Sequence, residues 1–167
     1  MEVATTAFAR TLATSSQSSS GFYVGVTDRC MYAHILGFGS GAPFITGCTA
    51  VVHVKFYGKC LDRDCVLLDI CVAQRLLREI MARYDHKNLD ELPTFQGINT
   101  TVEVVARAVC MELQHGLQQE QATVCAGGDS NAAAALAALT KIEVNVQESD
   151  VACAGYYVER PDGLLSE

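Results

Sequence analysis

The chain has 167 residues and a mass of 17.9 kDa, with 50% hydrophobic residues, a formal net charge of -7 and a pI near 5.0. That is the size and apolar content of one domain with a sizeable core. The acidic balance and the lack of a basic stripe exclude a nucleic-acid or anionic-membrane footprint, which needs clustered Lys and Arg, and no apolar run approaches the roughly 18 residues that span a bilayer.

The eight cysteines (Cys30, Cys48, Cys60, Cys65, Cys71, Cys110, Cys125 and Cys153) are scattered singly, with no Cys-x-x-Cys pair. This reads as free thiols of a reducing intracellular compartment rather than a disulfide scaffold or zinc ribbon. The cytoplasm is the expected location. The mitochondrial alternative rests on residues 1–20, a Ser/Thr/Ala-rich N-terminal tail that weakly resembles a transit peptide but carries only Arg10 and also the acidic Glu2.

From Gly21 to Thr27, and again from Tyr32 to Leu36, β-branched and aromatic residues predict short strands. Gly37 to Pro43 is a loop by composition. The segment Ile45 to Tyr57 alternates, with Cys48, Val52, Val54 and Phe56 on one face and His53, Lys55 and Tyr57 on the other, which predicts a long half-buried strand. Gly58 to Asp64 is a charged turn, and a helix follows that ends near Tyr84. Its stripe is Val72, Leu76, Leu77, Ile80 and Met81. A second helix is predicted from Thr100, with Glu103 completing a capping box, to about Gln118. Residues 119–140, rich in Ala, Gly and Asn, read as an insertion. Two strands close the domain, Lys141 to Glu148 and Ala152 to Val158, and residues 160–167 form a C-terminal tail. Strands, two helices, then strands make the class α+β.

Two local features carry candidate chemistry. Ile142, Val144, Val146 and Glu148 share one face of a strand, so a carboxylate ends an apolar row. It is either solvated at the strand end or paired with a ligand that offers parallel N–H donors. Asp85 and His86 adjoin the end of the first helix, where they serve either as a proton-transfer pair or as a plain helix-end cation.

The run Asp85-His86-Lys87-Asn88-Leu89-Asp90-Glu91-Leu92-Pro93, the helix start Asn99-Thr100-Thr101-Val102-Glu103 and the strand Val146-Gln147-Glu148-Ser149-Asp150 resemble the 6-pyruvoyltetrahydropterin and 6-carboxytetrahydropterin synthase family. The resemblance covers residues 22–118 and 141–159 of a domain running from 21 to 159. It implies the tunnelling fold: a four-stranded antiparallel sheet with two helices on one face, in trimers that close a β-barrel and commonly stack into hexamers. It also implies a pterin ligand, with 7,8-dihydroneopterin triphosphate as substrate, Glu148 as the pterin anchor with Thr100 and Thr101 beside it, and Asp85 with His86 as catalytic residues.

The chain departs from the family at the metal. The family holds zinc with three histidines, and His34 matches the first. The other two fall on Thr46-Gly47-Cys48-Thr49-Ala50, where only the glycine survives. Cys48 is either a soft remnant ligand beside His34 or a buried structural thiol. The family's catalytic cysteine is missing from the loop Gly39 to Pro43, where Ser40 stands. Glu103 is one residue out of place, a turn of about 100° on a helix. The expectation is a synthase-like protein with a degenerate zinc site and no cofactor, retained as a structural or binding subunit of a homo-oligomer or larger assembly. The alternative is an active lyase whose zinc is completed by other ligands.

Overall fold

The computed structural model describes residues 20–160, 163 and 164. The N-terminal tail read from the sequence lies outside the described residues, apart from Ser20.

Strand β1 (Phe22–Leu36) runs antiparallel to β2 (Phe44–Gly58) along its whole length, from Phe22 opposite Gly58 to Leu36 opposite Phe44. The two short strands expected in this region are therefore one. The polar Asp28 and Arg29 break the apolar pattern but not the ladder, since a partner as long as β2 supplies hydrogen bonds throughout. The turn between them uses Gly39 at φ 58°, a left-handed conformation that costs glycine little.

Helix α1 (Ile70–Tyr84) starts where the Asp69 carboxylate accepts the Cys71 N–H at 2.8 Å. It buries Ala73, Leu76, Leu77, Ile80, Met81 and Tyr84. Two residues, β3 (Lys87–Asn88), then pair in parallel with Tyr32 and Ala33 of β1. Single 3₁₀ turns follow at Leu89–Glu91 and Pro93–Phe95.

Helix α2 (Val102–Ala126) continues eight residues beyond the expected end at Gln118, into the stretch read as an insertion, and a short α3 (Ser130–Ala137) follows it. The predicted capping box is absent: Thr101 is the N-cap and makes no side-chain capping bond, while the Thr100 hydroxyl is engaged elsewhere. Strands β4 (Leu139–Ser149) and β5 (Ala152–Glu159) complete a five-stranded sheet in the order β3-β1-β2-β4-β5. The expected four strands are all there; the fifth is the two-residue β3, too short to leave a periodic signal.

Helices α1 and α2 cover one face of the sheet. Val52, Val54 and Phe56 of β2 and Ile142, Val144 and Val146 of β4 are buried beneath them against Leu77, Ile80, Val109, Leu113 and Leu117. Each such side chain contributes about 1.5–3 kcal/mol on burial. The helices approach closely at Gly116, where a Cβ would meet Leu76 at 2.9 Å. The segment read as a C-terminal tail adds Leu164 to this core. Its N–H donates to the Leu139 carbonyl and its own carbonyl accepts from Gln114.

Candidate active site

The apolar face ends in polar residues. In the β1–β2 register His34 stands opposite Thr46, and Tyr32 opposite Cys48. Residues two apart point to one side of a strand, so all four side chains share the helix-packed face. On β4, Glu148 extends the row Ile142, Val144, Val146, as the alternation predicts, and its side chain is 27% exposed.

His34 is 1% exposed. Its Nδ1 lies 2.6 Å from the Thr100 carbonyl oxygen. A carbonyl only accepts, so Nδ1 carries the hydrogen, and Nε2 is the nitrogen turned outward. Nε2 faces Glu148 Oε1 at 3.7 Å, beyond hydrogen-bond length. Tyr32 sets its ring edge-to-face against the imidazole, with centroids 5.4 Å apart. Its hydroxyl and Glu148 Oε1 are both buried without a hydrogen-bond partner among the described residues. The Cys48 thiol is close enough to feel both groups but is not placed to bond either in good geometry. Burial raises the Cys48 thiol above its ordinary pKa, and burial likewise pushes the Tyr32 phenol up. Both hold their protons at neutral pH.

A set of hydrogen bonds fixes this corner from behind. Asp90 accepts from the Ile35 N–H at 2.6 Å and from the Thr100 hydroxyl at 2.9 Å. The Asn99 amide holds both polar groups of the Gly37 backbone, accepting its N–H and donating to its carbonyl. The loop 99–101 is thereby tied to the end of β1, and the Thr100 carbonyl is aimed at His34. Thr100 is thus buried behind the site, and Thr101 caps α2 with its backbone.

Asp85 and His86 sit elsewhere. Asp85 accepts the Met31 N–H at 2.8 Å, and the His86 N–H donates to the Met31 carbonyl at 2.6 Å. His86 takes a left-handed φ of 57° to do so, an uncommon conformation for a residue with a side chain. Its Nε2 is 3.5 Å from Asp85, and the imidazole is exposed. It borders a shallow groove of about 510 Å³ whose lining includes Met31, Ala33, Gly47 and Thr49, of the sheet face that the helices leave uncovered, together with Tyr32 and Cys48 of the candidate site. Among the described residues no hydrogen bond or ion pair joins Asp85 or His86 to His34 or Glu148. His53 points to that same uncovered face and bonds Thr27. Glu103 is exposed in the first turn of α2. A larger cavity of about 780 Å³, lined chiefly by apolar residues such as Val24, Leu67 and Leu136, lies at the opposite end of β1.

Among the described residues no three His, Cys, Asp or Glu side chains are grouped closely enough to hold a metal ion, and no helix is long and apolar enough to cross a membrane. Tyr32 is the site residue that sequence reasoning missed. Its signal was its position two residues before His34, which puts both side chains on one face.

The fold is that of solved 6-pyruvoyl tetrahydropterin synthases. The Plasmodium falciparum enzyme matches at TM-score 0.63 and 13% identity, over 84% of this chain and 99% of that one. The Plasmodium vivax enzyme matches at TM-score 0.65 and 13% identity, over 84% and 99%, and it has also been solved with its catalytic glutamate changed to cysteine and to alanine. The Caenorhabditis elegans enzyme matches at TM-score 0.59 and 18% identity, over 82% and 95%. No curated protein matches the chain. Residues 26–127 match the model of the family described as 6-pyruvoyl tetrahydropterin synthase, and the chain belongs to that family.

Proposed function

We propose that this protein keeps the family's pterin pocket without its zinc chemistry and acts as a binding or structural subunit. The observation that carries this reading is the polar end of the helix-packed face, where Glu148 presents a buried carboxylate oxygen that accepts no hydrogen bond, 3.7 Å from His34 Nε2. A buried carboxylate oxygen without a hydrogen bond costs stability unless a donor is supplied. A pterin's ring N–H and exocyclic amine are two parallel donors that suit it.

The residues present do not fit the family's zinc. Its three histidine positions hold His34, Thr46 and Cys48. A threonine hydroxyl is a poor zinc donor, which leaves His34 and Cys48 as two donors where a zinc site needs three or four. Without that Lewis acid the side-chain hydroxyls of a dihydropterin are not polarised, so elimination of triphosphate by the family route is not expected. The catalytic cysteine's loop holds Ser40, a far weaker acid than a thiol.

The alternative is an active lyase, favoured by the adjacent Asp85 and His86. Within one chain neither residue makes a hydrogen bond or ion pair with His34 or Glu148 among the described residues, so this reading is helped if the pair serves the site of another subunit. The proposed homo-oligomer, a trimer or hexamer, is the assembly that would allow this, and native mass spectrometry reads the stoichiometry directly.

Calorimetric titration with 7,8-dihydroneopterin tests the binding reading. Saturable binding that Glu148→Gln weakens by about tenfold or more, or about 1.4 kcal/mol, with the fold intact, is the expected result. Binding unchanged by the substitution would remove Glu148 as the anchor.

A further inference from the structure

Tyr32 stands at the centre of the polar cluster, and no duty within the fold accounts for its hydroxyl. It lies directly across the β1–β2 ladder from Cys48, while His34 is one diagonal step away on the same face. A metal shared by His34 and Cys48 would need its nitrogen and sulfur donors about 2.0–2.1 Å and 2.3 Å from the ion. The Tyr32 ring packs edge-on against the His34 imidazole, stands opposite Cys48 in the ladder and is 4% exposed. The phenol therefore fills space that donor atoms would have to share. Its hydroxyl and Glu148 Oε1 are the two buried side-chain polar atoms among the described residues that lack a partner, and both belong to this one cluster.

We propose that Tyr32 decides what this pocket accepts. Its ring excludes a metal ion from the ground between His34 and Cys48, and its hydroxyl sets a donor beside the Glu148 acceptor, selecting an uncharged heterocycle that offers a hydrogen-bond acceptor next to N–H donors. The ligand half of the proposal deepens the pterin-pocket reading and rests on it; the metal half does not. A pocket that lost zinc ligands by drift alone would keep room for the ion. Here a bulky side chain stands in that room, and its polar tip is unsatisfied in the absence of ligand, as a group meant for a ligand would be.

Zinc titration by calorimetry on the full chain separates the two halves. The wild type is expected to bind no zinc at His34. Thr46→His with Cys48→His restores the donor set and is expected to bind weakly, and adding Tyr32→Val is expected to tighten binding at least about 100-fold, or about 2.7 kcal/mol. Equal affinity of the double and triple variants, or stoichiometric zinc in the wild type that is lost with His34→Ala, would overturn the exclusion role. Tyr32→Phe keeps the ring and the fold and tests the hydroxyl. It is expected to weaken 7,8-dihydroneopterin binding by roughly tenfold without admitting zinc, and unchanged affinity would overturn the donor role. If the wild type binds no pterin at all, the pocket reading and the donor role fail together, while the zinc series still decides the exclusion role.

Discussion

Two corners of this molecule carry the family's polar residues, and they are built in opposite ways. At the β1 edge, Asp85, His86, Asp90 and Asn99 direct their polar atoms to backbone groups: Met31, Ile35 and Gly37 of β1 or its following loop are held by side-chain or main-chain bonds from this segment. At the end of the helix-packed face, Tyr32 and Glu148 each bury a polar atom that nothing bonds. The first corner is a clasp that orders the chain, whereas the second bears an unmet demand for partners. The Asp85 side chain therefore has a structural role that needs no catalysis, whereas His86 serves the clasp through its backbone N–H alone and Glu148 Oε1 accepts no hydrogen bond within the fold.

The comparison is broken most strongly at Asp90. Asp90→Ala strips the acceptor from the Ile35 N–H and the buried Thr100 hydroxyl together and is expected to cost about 3 kcal/mol in urea unfolding. A loss below about 1 kcal/mol would mean that the clasp is decorative. Cys30 lies beneath both corners and probes them through pH. Burial, then the nearby Asp85 and Cys48, push its thiol from 9.0 up to about 12. The unfolded chain gives up that proton first, so the native state binds more protons above pH 9.0, and stability is full below that value and falls as pH rises towards 12. By pH 11 the loss is roughly 2.7 kcal/mol, and Cys30→Ala is expected to flatten this limb of the profile. The smallest effect belongs to the second corner. Tyr32→Phe removes a hydroxyl with no partner, so stability should stay within about 0.5 kcal/mol of wild type or rise. A loss above about 1 kcal/mol would show that the hydroxyl is already satisfied.

Much of this was legible in the sequence where one periodicity dominated. The β2 alternation, the α1 stripe and the position of Glu148 at the end of an apolar row each follow from side-chain period alone. β1 was split because Asp28 and Arg29 interrupt its pattern, and continuity came from pairing with β2, a non-local effect. Thr100 looked like a helix cap, but Asp90, ten residues earlier, takes its hydroxyl and passes the N-cap position to Thr101. The extension of α2 to Ala126 was hidden by a composition that reads as loop, although Val124 packs against the core at its end. At the candidate site, motif matching found His34, Cys48 and Glu148 but gave no role to Tyr32, the aromatic two residues before His34. It also offered Asp85 and His86, whose hydrogen bonds in the folded chain run to the Met31 backbone of β1.

The most direct test of the central claim is triphosphate release from 7,8-dihydroneopterin triphosphate by the full-length protein supplied with zinc. The account predicts release no faster than in protein-free buffer, at protein concentrations where the pterin is bound. Zinc-dependent release that is abolished by His34→Ala would contradict it, and would make this chain an enzyme with a metal shell its own fold does not display.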